Sequence, residues 1–229
     1  MFENIANWAA NNRQLFTIML DGMRETVVLT FWSTFFGYLL GTPLGVLLVI
    51  TDKGGIKENG PMNQIMGTIV NILRSVPFLI LMVMLFPLTR IVVGTTLGVK
   101  AAIFPLVICA FPYIARMVES SLKEVDAGVI EAAQSMGATP MQIVFKVILP
   151  EAIPSLINGT AICMTSILSY TAMAGAVGTG GLGKVAIDYG LYRYDYLKLY
   201  VASGLLIVLV QIIQIFGTKT SIFVDRRRR

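Results

Sequence analysis

The chain has no histidine and only two cysteines, Cys109 and Cys163. Both cysteines lie inside apolar runs, so a disulfide scaffold, a metal centre and His-based acid–base catalysis are all poorly supported. Charge is scarce as well. Asp, Glu, Lys and Arg make up 14% of the 229 residues, against 55% apolar residues and a mean hydropathy of +0.75. A soluble domain of this length could not cover its surface with so few polar groups. The composition points to an integral membrane protein with one compact domain and no room for a separate soluble enzyme module. An intramembrane enzyme, such as an acyl- or phosphotransferase, would need Asp, Glu, His or Cys clustered at one membrane depth. The apolar runs hold no such cluster.

What is present is a series of long apolar segments. A spanning helix takes about 20 mostly apolar residues, and five stretches qualify: 26–51, 63–88, 97–118, 152–174 and 199–218. The first carries no charge, the second is interrupted only by Arg74, and the third has Lys100 near one end and Arg116 near the other. Residues 152–183 form a charge-free run longer than one span, so the glycine-rich end from Gly175 is expected to be a loop or re-entrant turn. Residues 1–25 read as a mixed, partly amphipathic lead in which Trp8, Leu15, Phe16 and Met19 are apolar. No short apolar core with a small-residue cleavage site precedes the first span, so a removed signal peptide is not expected. The sequence predicts an all-α integral membrane protein with an extracytoplasmic lead (1–25), one transmembrane domain (26–218) and a basic tail (219–229).

Five spans put the termini on opposite sides. With the C-terminus inside, Lys53, Lys57, Arg74, Arg116, Lys123, Lys146, Lys219 and the four arginines 226–229 fall on or toward the cytoplasmic half. Arg13, Arg24, Arg90, Lys100, Lys184, Arg193 and Lys198 stay in the outer half. The bias follows the positive-inside rule, places the N-terminus outside and makes residues 123–150 cytoplasmic. The four terminal arginines read either as a solvated tail or as an anchor at anionic headgroups.

Residues 123–150 form a mostly polar, helix-forming passage that crossing a bilayer does not require. Asp126 is placed to cap a short helix with Val129, Ala132, Ala133 and Met136 on its small or apolar face. Gly137 falls where a left-handed residue would end that helix. Thr139, followed by Pro140 and with Gln142 three residues on, opens a second helix through a capping box. Ile143, Val144, Val147 and Ile148 line one face of it, and Pro150 is expected to close the segment. The pair makes an elbow along the membrane surface. By itself it reads either as an interfacial hairpin capping the bundle or as a surface gripped by a partner, with Ala132 and Ala133 admitting a partner backbone and Glu131 offering a charge.

Glu131-Ala132-Ala133, Gly137 and Ile148-Leu149-Pro150 resemble the EAA loop of ABC importer permeases, in which this helix docks into a groove of a cytosolic ATPase. Four neighbouring segments, Arg74-Ser75-Val76-Pro77-Phe78 and residues 111–119, 136–144 and 175–183, extend the similarity. From about Asp21 onward the chain resembles the methionine branch of that family. The resemblance implies a type I importer permease fold with the coupling residues Glu131, Ala132, Ala133, Gly137, Ile148, Leu149 and Pro150. It implies no catalytic site and no cofactor in this chain, ATP and magnesium being held by the partner ATPase. The implied partners are a second copy of the chain, two cytosolic ATPase subunits, an extracytoplasmic methionine-binding (lipo)protein and the bilayer of a bacterial cytoplasmic membrane, with no nucleic acid. A permease for another small solute would share every coupling feature.

Two motifs mislead. Residues 178–184 fit the first seven positions of a P-loop, and Gly178, Gly180 and Gly183 also fit G-x-G-x-x-G. Val185, however, stands where a P-loop needs Ser or Thr, no strand–turn–helix context exists, and the topology places the stretch away from ATP. A flexible connection between spans four and five is the expectation. Asn158-Gly159-Thr160 is a formal glycosylation sequon inside a span. Pathway candidates are Arg74, Pro77, Ser169, Tyr170 and Met173. Arg74 is a polar element of the conduction path, a state-dependent interhelical lock, or a cation snorkelling to the inner face, and three residues later Pro77 withholds an amide donor and loosens the helix. Ser169 and Tyr170, with Thr165, Ser166 and Thr171, either bond to neighbouring helices or line a pathway. Met173, at the outer end of its span, is placed to plug a pore on a two-fold axis.

Overall fold

The computed structural model describes the backbone of residues 2–225 and the side chains of residues 13–225. Among the described residues there is no β-strand. The first helix, α1 (Phe2–Thr51), runs straight through the expected start of the first span at residue 26. Residues 2–25 contain no proline, so nothing removes a backbone donor there, and polar side chains alone do not end a helix. At 1.5 Å per residue α1 is about 75 Å long.

The second expected span is not one helix. Asn59 caps α2 (Gly60–Ser75) by accepting from the Met62 N–H. The helix then stops at Val76, which adopts φ −81°, ψ 126°, because the ring of Pro77 drives the residue before it out of the helical region. The chain resumes as α3 (Phe78–Met84), bent by 101° from α2. Next comes α4 (Phe86–Val93), with Pro87 in its first turn and Gly94 closing it at φ +84°. Pro77 therefore breaks the expected span 63–88 rather than merely loosening it.

After α5 (Val99–Lys123) the chain forms two short helices, α6 (Ala127–Ser135) and α7 (Pro140–Ile143). One wide π-turn, Val144–Ile148, leads into α8 (Leu149–Ala174). A 3-10 turn, Gly175–Val177, precedes α9 (Gly181–Val185); a second π stretch, Ala186–Leu191, precedes α10 (Tyr196–Val224). Among the described residues, four stretches are long and apolar enough to cross a membrane: Arg13–Thr51, Val99–Lys123, Pro140–Val177 and Tyr196–Val224. Counted as one span, the bent pair α2 and α3 makes a fifth.

Two compact units emerge from the packing. One contains Thr34–Pro77, Val107–Thr165 and Ile213–Arg229. Within it, Gly37, Gly41 and Gly45 form a stripe on α1 pressed against α5: a Cβ on Gly41 would lie 2.8 Å from both the Phe111 carbonyl oxygen and Ile114, and one on Gly45 2.7 Å from the Ala115 carbonyl oxygen. Small residues at every fourth position let two membrane helices approach backbone to backbone, where dispersion and not water exclusion supplies the attraction. The other unit contains Met1–Ser33, Phe78–Leu106 and Ser166–Ile212. Its buried clusters are Leu29, Met82, Ala102, Leu106 and Ala174, and separately Met19, Leu182 and Ala202. Little of α10 is buried within the chain, and Ile207, Val208, Ile215 and Phe216 are all exposed, as suits a helix facing hydrocarbon or a second subunit.

Candidate coupling site

The elbow is built by local signals. Asp126 accepts from the Gly128 N–H at 2.7 Å and starts α6. Gly137, at φ +76°, ends it; its N–H reaches the Gln134 carbonyl at 2.9 Å and the Ala138 N–H reaches the Ala133 carbonyl at 3.1 Å, the paired bonds of a Schellman cap. Two residues on, the Thr139 N–H donates to Gln142 Oε1 at 2.9 Å, and the Gln142 N–H donates back to Thr139 Oγ1. The capping box and the left-handed turn lie where the sequence puts them.

Burial divides the residues expected on one face of α6. Ala133 is buried within the chain, whereas Val129, Ala132 and Met136 are exposed, as is Glu131. Ala133 therefore packs the elbow onto its own body, and only Ala132 of the pair presents a small surface outward. Met141 and Phe145, 64% and 60% exposed, are further exposed apolar side chains of the elbow. The second face behaves as expected: Ile143, Val144 and Ile148 are buried and Val147 half-buried.

Pro150 does not close the elbow. It sits in the first turn of α8, and the π-turn Val144–Ile148, closed by the Leu149 N–H on the Val144 carbonyl, carries the chain from α7 into the long span without a break. A π-turn is wider than an α-turn, which gives the proline ring space and makes its missing N–H harmless. Leu149 is half-buried beside the exposed Pro150.

Behind the elbow lies a charge relay that sequence reasoning missed. Lys123 Nζ stands 2.5 Å from Asp52 and 2.9 Å from Glu119. Arg116 donates to Glu119 at 2.6 Å, to Asn71 Oδ1 at 3.0 Å and to the Gly67 carbonyl at 3.3 Å. Four side chains of alternating sign thereby join the end of α1, the middle of α2 and the last turns of α5. The Lys123 ammonium, helped by the Lys53 N–H, holds the Asp52 carboxyl below the usual carboxylate range. The signal in the sequence was the spacing of Arg116, Glu119 and Lys123, three and four residues apart on one helix face.

Arg74 and Pro77 belong to one unit, Ser169, Tyr170 and Met173 to the other. Arg74 is exposed in the last turn of α2, where a cation suits the helix dipole. Tyr170 stacks on Phe78, ring centroids 4.6 Å apart and planes within 6°. Ser169 and Met173 lie four residues apart on an exposed face of α8.

The glycine-rich stretch is structured, not a loose loop. Gly178, Gly180 and Gly181 all have positive φ. Glu25 accepts from the Gly181 N–H at 2.7 Å, and Thr26 Oγ1 accepts from the Leu182 N–H at 2.9 Å.

Among the described residues, several helices are long and apolar enough to cross a bilayer, and comparison with known proteins gives the family they belong to. Residues 37–225 match the family described as binding-protein-dependent transport system inner membrane component, and the chain belongs to that family. It is 50% identical, over 226 residues covering 99% of both chains, to the probable D-methionine transport system permease protein MetI of Vibrio cholerae serotype O1. Against the D-methionine transport system permease protein MetI of Escherichia coli K12 it is 50% identical over 158 residues, 69% of this chain and 73% of that one. Among solved structures, the inward-facing MetNI methionine ABC transporter superposes with a TM-score of 0.92 at 46% identity, covering 93% of this chain and 99% of that one. An amino acid ABC transporter at 20% identity, TM-score 0.76, covering 93% and 96%, shares the fold.

Proposed function

We propose that the chain is the permease subunit of an ATP-driven importer that carries methionine across a bacterial cytoplasmic membrane. The observation that carries the reading is the 50% identity over essentially the full length of a methionine transport permease. In this reading two copies pair about a two-fold axis, two cytosolic ATPases hold the elbows, and an extracytoplasmic binding protein delivers the cargo. The chain itself performs no chemistry, and ATP hydrolysis belongs to the partner.

The exposed face of the elbow, with Glu131, Ala132 and Met136 outermost, is the part offered to the ATPase. Its capped helices and the π-turn into α8 make it a stiff lever, so closure of the ATPase dimer moves the root of a spanning helix directly. The spans then exchange inward-open and outward-open states, biased by ATP on one side and by the loaded binding protein on the other. Gly137, Ile148, Leu149 and Pro150 keep the lever's shape. Arg74, Pro77, Ser169, Tyr170 and Met173 are the candidate pathway or gate residues, with Met173 of each copy meeting on the axis when the outer side is shut.

The orientation, N-terminus outside and C-terminus inside, is part of the proposal. A single cysteine beside Asp126 should react only from the cytoplasmic side and one beside Lys184 only from outside. The opposite sidedness would overturn it.

A further inference from the structure

The connection between α1 and α2, residues 52–59, is short, polar and largely exposed, yet it is tightly bonded. The Gly55 N–H donates to the Asp52 carbonyl at 2.9 Å, the Lys57 N–H to the Ile50 carbonyl at 2.9 Å and the Asn59 N–H to the Thr51 carbonyl at 3.0 Å. Two carboxylates add to this, Asp52 accepting from the Lys53 N–H at 2.8 Å and Glu58 from the Gly54 N–H at 3.0 Å. A Cβ on Gly55 would lie 2.7 Å from the Ile50 carbonyl oxygen, so backbone packs on backbone there. Joining two helices requires none of this, since a slack loop of the same length closes at little extra entropic cost.

The turn is also fixed to the root of the elbow. Lys123, whose ammonium stands 2.5 Å from Asp52, is the last residue of α5 and lies three residues before the Asp126 cap. Between the turn and α6 a cleft of about 300 Å³ remains, lined by Asp52, Lys53 and Lys123 from the turn and α5 and by Glu131 and Gln134 from α6. One rim of the cleft is therefore the helix whose exposed face is offered to the ATPase. Lys53 and Lys57 are exposed, and neither forms an ion pair among the described residues. The charged residues of the lining are two of each sign. An anionic headgroup surface selects a uniformly basic patch, whereas a lining of mixed sign suits a folded partner whose own charges are arranged to match. The partner already placed at this rim is the ATPase.

We propose that the turn 52–59 is a second contact of the chain with the ATPase that grips the elbow. In that contact a protruding edge of the ATPase enters the cleft and sets carboxylates against Lys53 and Lys57 and a cation against Glu131. A turn held by its own hydrogen bonds presents these charges with little left to order on binding. Because the Lys123–Asp52 pair joins the turn to α5, movement of the ATPase then reaches α1, α2 and α5 as well as α8. The inference rests on reading the elbow as the site of ATPase docking.

The test uses the full chain and its ATPase assembled in phosphatidylcholine nanodiscs. With the photo-reactive p-benzoylphenylalanine in place of Lys57, the expected result is a covalent adduct of permease and ATPase, read by gel and mass spectrometry. An adduct only with lipid, an adduct only with the second permease copy, or no adduct would overturn the proposal. A binding measurement is independent of the cross-link. Lys53→Glu/Lys57→Glu should weaken ATPase binding about fivefold or more at about 50 mM salt, mostly through the association rate. The loss should shrink at about 1 M salt, where the Debye length is about 3 Å. Unchanged affinity at low salt, or a loss that salt does not reduce, would overturn it equally. Ala132→Trp separates this inference from the reading beneath it. If that variant abolishes ATPase binding while the turn gives neither adduct nor charge effect, the elbow reading stands and the second contact fails. If it leaves ATPase binding intact, the elbow reading fails and the second contact with it.

Discussion

The Glu25 carboxylate accepts a 2.7 Å hydrogen bond from the N–H of Gly181, 156 residues further along the chain. The bond anchors the glycine-rich stretch to α1. Gly180 beside it sits at φ +112°, and a Cβ there would lie 2.7 Å from Glu25 Oε2. Gly180→Ala is therefore expected to lower stability by about 1–3 kcal/mol through backbone strain. Glu25→Ala should cost about 1.5–3 kcal/mol by leaving the Gly181 N–H without its acceptor. Thermal unfolding in detergent reads both. Wild-type stability in either variant would contradict the anchor.

Glu119 is the hinge of the charge relay, since it is the common partner of Arg116 and Lys123. Breaking a buried pair costs roughly 3–5 kcal/mol. Lys123 is 45% exposed, so Glu119→Gln is expected to cost about 2 kcal/mol, screening having reduced the full penalty. Asp52→Asn, at the exposed end, should cost less, and its effect should depend on pH. The folded-state pKa of Asp52 is depressed, so its contribution is present above the ordinary carboxylate pKa and is lost as pH falls through the depressed value. Wild type and Asp52→Asn should thus differ equally at pH 8 and pH 6 and converge in acid. A difference that grows on acidification would contradict the assignment.

The elbow distinguishes two neighbours that look interchangeable in sequence. Ala132 is exposed and Ala133 is buried. Ala132→Trp should leave the unfolding temperature of the isolated permease unchanged yet abolish co-purification with the ATPase. Ala133→Trp should destabilise the permease itself, overpacking costing about 1–3 kcal/mol. Gly137→Val should lower stability too, because φ +76° is strained for a β-branched residue. Equal behaviour of Ala132→Trp and Ala133→Trp would overturn this division.

Much of this was legible in the sequence because local chemistry decides it. Asp126, Gly137, Thr139 and Gln142 announce caps and turns by residue type alone, and charge-free runs announce spans. The misreadings have physical causes. Pro77 was expected to loosen a helix but ends one, since its effect on Val76 is as large as its own missing donor. Pro150 was expected to stop a helix but rides on a π-turn, a feature no residue type announces. Ala133 faces the chain's own body because the bend at Gly137 and the entry angle of α6, not helical periodicity, decide which side is covered. The Asp52–Lys123 and Glu25–Gly181 pairings join residues far apart in sequence, so only the fold brings them together. The stripe Gly37, Gly41, Gly45 was readable and passed over: glycine at every fourth position in an apolar helix marks a close crossing.

The central claim is transport, and one measurement tests it most directly. The chain is reconstituted with its ATPase in proteoliposomes, with the ATPase side and ATP outside, and the binding protein and labelled methionine enclosed within. The account predicts ATP-dependent export of label from the lumen to the ATPase side, abolished by Ala132→Trp and competed by unlabelled methionine but not by an equal concentration of an unrelated amino acid. Movement of label that ignores ATP, or that an unrelated amino acid competes as well as methionine, would contradict it.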